Sequence, residues 1–381
     1  MNGSADTAAS PAAIQHLRLS LARGIGPVHF GRLLERFGSA EAVLAASRDE
    51  LQRVDGIGPA TADEIIRTRS AKEWEAELSL AARHGVRILC REDAAFPPAL
   101  RHIPDPPICL YMKGEIEPAD AVAVAVVGSR RCTQYGREQA RRFGFALAER
   151  GATVISGLAR GIDAAAHWGA IEAKGRTIAV LGNGLATVYP PENKELANRI
   201  MAGHGALLSE LPMQTPPDKD NFVPRNRIIA GLSLGVLVVE AARRSGALAT
   251  ARHASEYNRE VFALPGRIDS PFSDGTNGMI RDQHAKLVCH VKDVFDELGE
   301  TGRALCPDEP LFAPLNSVPA RTTAQEQRLY EALSDEERSI EQLCDAANMP
   351  ASQVASALIS LQLKGLVRQL PGSLFVRERK G

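Results

Sequence analysis

Long apolar runs are missing from this 381-residue chain, and none approaches the roughly 20 residues that a bilayer-crossing helix needs. A helical membrane span is thereby excluded. The segment from Met1 to Ala13 is small and polar and lacks a basic-then-apolar signal pattern, so the sequence predicts a cytoplasmic protein. Cysteine is scarce: there are six, and no two stand at a C-x-x-C spacing. That spacing indicates neither a zinc site nor a redox motif and predicts free thiols in a reducing compartment, with no metal. The phosphate loop G-x-x-x-x-G-K-S/T is absent, so any ATP dependence should belong to a partner. The dinucleotide fingerprint G-x-G-x-x-G is absent too, because after Gly128 no second glycine appears until Gly136. Net charge is only −1, which would exclude a nucleic-acid binder if charge were evenly spread.

It is not evenly spread. Residues 128–176 carry nine Lys/Arg against four acids, and residues 225–259 carry six Arg against two. Local field, not net charge, steers an anionic partner. These two basic stretches coincide with a recurring pattern of short apolar run, Gly-rich turn and helix start. It occurs at Val124–Arg131, Thr153–Asp163, Leu181–Leu185 and Val239–Ala247. Such turns aim backbone N–H groups and a positive helix end at an anion. Several of them on one sheet edge would form a long phosphate-binding rim.

The length implies two or three domains. Residues 12–70 carry two near-identical turns, Gly24-Ile-Gly-Pro27 and Gly56-Ile-Gly-Pro59, each between helical patterns. That is a tandem helix-hairpin-helix signature, able to contact DNA or protein. Residues 71–299 alternate strands with helices. Apolar runs fall at 122–127, 152–156, 177–181, 206–209, 235–240, 260–264 and 286–290, with edge strands expected at 86–90 and 108–112. Buried β-branched runs interleaved with helices predict an α/β fold with a doubly wound, mostly parallel sheet. Residues 300–320 are proline-rich and read as a linker. Residues 321–381 read as three helices and a β-hairpin, a winged-helix pattern of zero net charge, suited to either a protein or a duplex.

These residues together resemble the DNA-processing protein A (DprA/Smf) family, over roughly residues 85–299. The likeness rests on Val127-Gly-Ser-Arg130, the run from Ser156 to His167, Gly182-Asn-Gly-Leu with Tyr189-Pro190, and Ser209-Glu-Leu-Pro212. Further on it rests on the run from Phe222 to Ser233, Ser245-Gly-Ala-Leu-Ala-Thr-Ala251 and Leu264-Pro-Gly266. The resemblance implies a Rossmann-like domain that binds single-stranded DNA and dimerises. It also implies a protein that protects incoming DNA in natural transformation and loads a RecA-type recombinase. It implies no enzymatic step and no cofactor. One departure is Met279-Ile280 followed by His284-Ala285, where the family pattern has Gly-Ala.

The candidate DNA- or phosphate-binding residues are Gly128, Ser129 and Arg130 in the first turn and Ser156, Gly157, Arg160 and Gly161 in the second. Phe222, Arg225, Asn226 and Arg227 form a third group, expected at a helix start, with Phe222 able to stack on a base. Packing of Phe222 and pairing of Arg227 with Glu240 or Glu210 is the competing structural reading. Ser245 and Gly246 open another helix. Asp163 is expected as a helix N-cap and His167 as a core histidine. A second functional class is a nucleotide hydrolase similar to the phosphoribohydrolases. Their P-G-G-x-G-T-x-x-E signature is broken here, because Pro265-Gly266 continues as Arg267-Ile268-Asp269 and Gly275-Thr276 has no Glu three residues on.

Overall fold

The computed structural model describes residues 8–306, 323–333, 338–364, 366–370 and 374–377. They belong to two units divided after residue 307. In the larger unit nine strands form one sheet: β1 (Arg87–Leu89), β2 (Leu110–Gly114), β3 (Ala123–Val127), β4 (Thr153–Ser156), β5 (Thr177–Val180), β6 (Gly205–Ser209), β7 (Gly235–Val238), β8 (Glu260–Ala263) and β9 (Lys286–Leu287). Their spatial order is β1-β2-β6-β5-β4-β3-β7-β8-β9. From β6 to β9 every pairing is parallel, while β1 and β2 add an antiparallel edge. The fold is therefore the expected α/β, doubly wound, mostly parallel sheet.

Alternation along β3 shows why the strands are apolar throughout. Val124 and Val126 face the layer that holds Phe143 and Leu147. Ala123, Ala125 and Val127 face the opposite layer, with Ile228, Ile229 and Ala251. Both faces are covered, so both sets of side chains must be apolar. The helices Gln134–Glu149 and Ile162–Glu172 cross at backbone contact. A Cβ on Gly169 would overlap the Arg141 carbonyl, and one on Gly144 would overlap that of Ala166. The chain leaves β3 toward β4 on one side and returns through β7 on the other. The crevice at the carboxyl ends of β3, β4 and β7 is the switch point where such sheets bind ligands.

The N-terminal helices form the tandem hairpin unit. Gly24 and Gly56 take left-handed φ values of +85° and +83°. Each hairpin faces the helix of the other repeat: Gly24 lies against Thr61, and Gly56 against His29 and Arg32. Helices Pro27–Phe37 and Pro59–Arg67 both begin on proline, which suits a first helical position.

The smaller unit has helices Ala324–Ala332, Ile340–Ala347 and Ala351–Leu363. Its three-stranded sheet is ordered β10 (Arg338–Ser339), β12 (Leu374–Arg377), β11 (Val367–Leu370). Leu329, Leu343, Val354, Leu361 and Phe375 form its core. The winged-helix pattern is present, with one short strand, β10, beyond those expected. Residues 300–305 of the expected linker belong to the helix Gly299–Leu305, and residues 307–320 lie outside the described residues. Among the described residues no helix is long and apolar enough to cross a membrane.

Candidate nucleic-acid interface

The turn after β3 is shaped by Glu240, which follows β7. Its buried carboxylate accepts from the Thr133 amide and hydroxyl, both at 2.7 Å. Gly136 is required there, because a Cβ would meet Glu240 Oε2 at 2.5 Å. The N-terminus of the helix Gln134–Glu149 is thus closed by a carboxylate of the protein itself. A second carboxylate fills the turn one strand over. Asp163 Oδ2 accepts from the Gly157 and Ala159 amides at 3.1 and 3.4 Å. Burial pushes this carboxyl above its ordinary range, while the Arg225 charge and the two amides act against that shift. Asp163 is not the N-cap; that position is Gly161, whose φ of +78° lets it lie against the Ser129 carbonyl.

Arg130 projects from the first turn into solvent and carries no ion pair among the described residues. Its guanidinium lies 4.2 Å from the centroid of the Phe222 ring. Tyr189 stacks beside the same ring, with centroids 6.1 Å apart and planes inclined by 29°. Arg130, Ala159 and Phe222 line two adjoining clefts. One continues through Arg160, Gly182 and Tyr189-Pro190. The other continues through Lys219, Asn226, Ser245 and Gly246, with Gly128 and Arg225 in its floor. The second cleft is lined by three cations, Arg130, Lys219 and Arg225, against one acid, Asp163. Arg160 pairs with Glu192, and both side chains are about half exposed.

Several candidates are turned inward. The Ser156 hydroxyl is buried and donates to the Val126 carbonyl at 2.6 Å. The Ser129 hydroxyl stays at the surface and donates to the Arg131 carbonyl, while its amide donates to the Glu240 carbonyl. Arg225 and Arg227 are not at a helix start, because the helix runs Lys219–Leu232 with Asp218 as its cap and Pro224 inside it. Arg225 is buried and donates to the Gly157 and Val180 carbonyls, packing against Gly157 where a Cβ would meet its Nη2 at 2.6 Å. Burial lowers its pKa to about 10, which leaves it charged at neutral pH. Arg227 is buried and pairs with Glu210 and Asp105, so of the two carboxylates weighed for it Glu210 is the partner. The Asn226 amide donates to the Gly246 carbonyl at 3.2 Å and ties the third group of candidates to the helix Ala247–Glu256. His167 is a core residue, with Nδ1 at 2.6 Å from the Thr177 hydroxyl and a pKa lowered to about 3 by burial.

The structure therefore brings Arg130, Arg160, Phe222, Arg225, Asn226, Ser245 and Gly246 to one rim and commits Ser156 and Arg227 to the interior. Lys219 was not legible as part of it, since its neighbours Asp218 and Asp220 mask its charge in sequence. Tyr189 carried no chemical signal of its own. The departure at position 284 leaves the last turn intact: Gln283 takes the left-handed φ of +57°, and exposed His284 donates its amide to the Met279 carbonyl.

Fold and rim together define a Rossmann-like protein whose ligand edge presents cations and aromatic rings and whose turns after β3 and β4 already hold carboxylates of the protein itself. The family model for DNA recombination-mediator protein A matches residues 87–299. A DprA winged-helix model matches 313–373, and a SAM-like helix-hairpin-helix tandem matches 17–69. The chain is 40% identical over 309 residues to protein Smf of Escherichia coli K12, covering 81% of this chain and 82% of that one. The X-ray structure of DNA processing protein A from Streptococcus pneumoniae matches at 35% identity and a TM-score of 0.66, covering 75% of this chain and 97% of that one. A DNA processing protein A from Helicobacter pylori, described for its single-stranded DNA binding mode, matches at 31% identity and a TM-score of 0.50. That match covers 56% of this chain and 95% of that one. The chain belongs to the DNA recombination-mediator protein A family.

Proposed function

We propose that the rim holds single-stranded DNA. On this reading the protein protects that strand and passes it to a RecA-type recombinase during natural transformation and recombination. It acts as a cytoplasmic homodimer without a catalytic step or a cofactor of its own. The DNA-binding body is residues 71–299, with the hairpin and winged-helix pieces as accessory domains. The observation that carries the reading is Arg130 stacked on Phe222 beside Tyr189, in a groove that also holds Arg160 and Lys219. Cations that track a backbone, interleaved with rings that accept any base face, are the pattern of single-strand binding. The Helicobacter pylori relative described for its single-stranded DNA binding mode supports the same reading.

Fluorescence anisotropy with equal-length single and double strands tests it. The single strand should bind more tightly, and log affinity should fall with log salt at about −0.7 per neutralised phosphate. Equal affinity for duplex together with a flat salt response would refute it.

A further inference from the structure

Away from the rim, three side chains from two distant parts of the chain converge where the hairpin module meets the sheet. His16 lies on the helix Pro11–Ser20, Cys90 directly follows β1, and Glu92 lies in the next turn. One ligand-type atom from each lies within 4.8 Å of the other two. His16 and Cys90 are buried, while the Glu92 side chain is half exposed. The turn is rigid, because the Cys90 amide donates to Asp93 Oδ2 at 2.8 Å.

The histidine's hydrogen bonding gives the cluster its direction. Nδ1 is 3.1 Å from the Ile108 carbonyl, which can only accept, so Nδ1 carries the proton. Nε2 faces Glu92 Oε2 at 3.1 Å. A ring nitrogen and a carboxylate oxygen that face each other hold a proton or a metal cation between them. Phe30 fixes the imidazole plane edge-on, with ring centroids 4.8 Å apart. A histidine that donates one nitrogen to a backbone carbonyl and offers the other to a cluster with a thiol and a carboxylate has the orientation of a metal ligand.

We propose that His16 Nε2, Cys90 Sγ and a Glu92 carboxylate oxygen bind one zinc ion. A mixed nitrogen, sulfur and oxygen set suits this borderline-soft ion, and the exposed side of Glu92 leaves the fourth tetrahedral position to water. Binding releases the Cys90 thiol proton to solvent and involves no redox change. Because His16 belongs to the hairpin module and the other two ligands to the sheet, the ion pins one to the other. The ligands are 74 and 76 residues apart in sequence (90 − 16 and 92 − 16), so no local spacing announces them.

Tag-free, full-length protein should retain about one zinc per chain on elemental analysis. Cobalt added to the metal-stripped protein should give a thiolate-to-cobalt charge-transfer band of the same stoichiometry. Cys90→Ser should abolish the band and Cys344→Ser should keep it. Glu92→Gln changes an exposed group, so the metal-stripped variant should melt as the stripped wild type does while binding cobalt at least about tenfold more weakly. Protein without zinc that gives no charge-transfer band overturns the proposal, as does a band that survives Cys90→Ser.

Discussion

Replacing Arg130 by alanine separates binding from folding more cleanly than any other change at the rim. The side chain is exposed, and its contact with the protein is the Phe222 ring at 4.2 Å. An exposed cation–π contact is worth about 0.5–1 kcal/mol, so the variant should melt close to wild type. The expected effect on DNA is larger. A hydrogen bond to a charged group is worth about 1.5–3 kcal/mol, and at an exposed position the low end applies. Affinity for a single strand at moderate salt should therefore fall roughly tenfold. The slope of log affinity against log salt should shrink by about 0.7, one neutralised phosphate. Arg130→Lys should restore the slope but only part of the affinity, because an ammonium keeps the charge and loses the planar stack. Anisotropy titrations across a salt series, with a melting curve on each variant, read all three quantities. An Arg130→Ala protein that melts normally and keeps wild-type affinity and slope would remove the groove from the argument.

Two further outcomes follow from packing and charge. Gly169→Ala places a methyl group on the Arg141 carbonyl where two helices touch, and should cost about 1–3 kcal/mol or more in a denaturant titration; an unchanged midpoint would show that the helices can separate freely. In the winged-helix unit the Lys364 ammonium, the Ser360 hydroxyl and the Thr323 amide hold the Glu326 carboxyl down at about 2, against an ordinary 4.5. A depressed carboxyl stabilises the fold fully above its unfolded value and loses that contribution as pH falls from 4.5 toward 2. Glu326→Gln should flatten this part of the stability profile, and an identical acid limb in both proteins would contradict the pairing.

The central sheet was legible because a strand covered on both faces must be apolar at every position, which gives a continuous run that survives in sequence. The runs at 122–127 and 235–240 became β3 and β7 with ends trimmed by a residue or two. The helix holding Arg225 was misplaced for a local reason. Pro224 reads as a first helical residue, yet the helix starts five residues earlier at Lys219 and tolerates the proline inside. The pairing of Arg227 with Glu210 was one of the readings weighed, but the burial of Arg225 and the Asp105 contact of Arg227 could not be read. Their partners Gly157, Val180 and Asp105 are 68, 45 and 122 residues away along the chain (225 − 157, 225 − 180 and 227 − 105), so only the closed sheet joins them. The candidate list consequently mixed arginines that build the rim with arginines that face the solvent from it.

Glu240 and Asp163 change what a Gly-rich turn means in this fold. In a dinucleotide site the positive helix ends stay open for a pyrophosphate. Here two buried carboxylates already take amides of the turns after β3 and β4. A small phosphate would have to displace a covalently tethered anion from each. The accessible positive charge instead sits further out, on Arg130, Arg160 and Lys219, along adjoining clefts. Arg160 is held only by an exposed pair with Glu192, a contact worth about 0–1 kcal/mol, which a phosphate can replace at little cost. Charge arranged on projecting side chains along a rim, with Phe222 and Tyr189 between them, matches the repeat of a polymer better than the compact charge of a mononucleotide. The glycines therefore serve the rim indirectly: they let carboxylates and helices pack tightly beneath it, and the arginines stand on that floor at the place proposed for the strand.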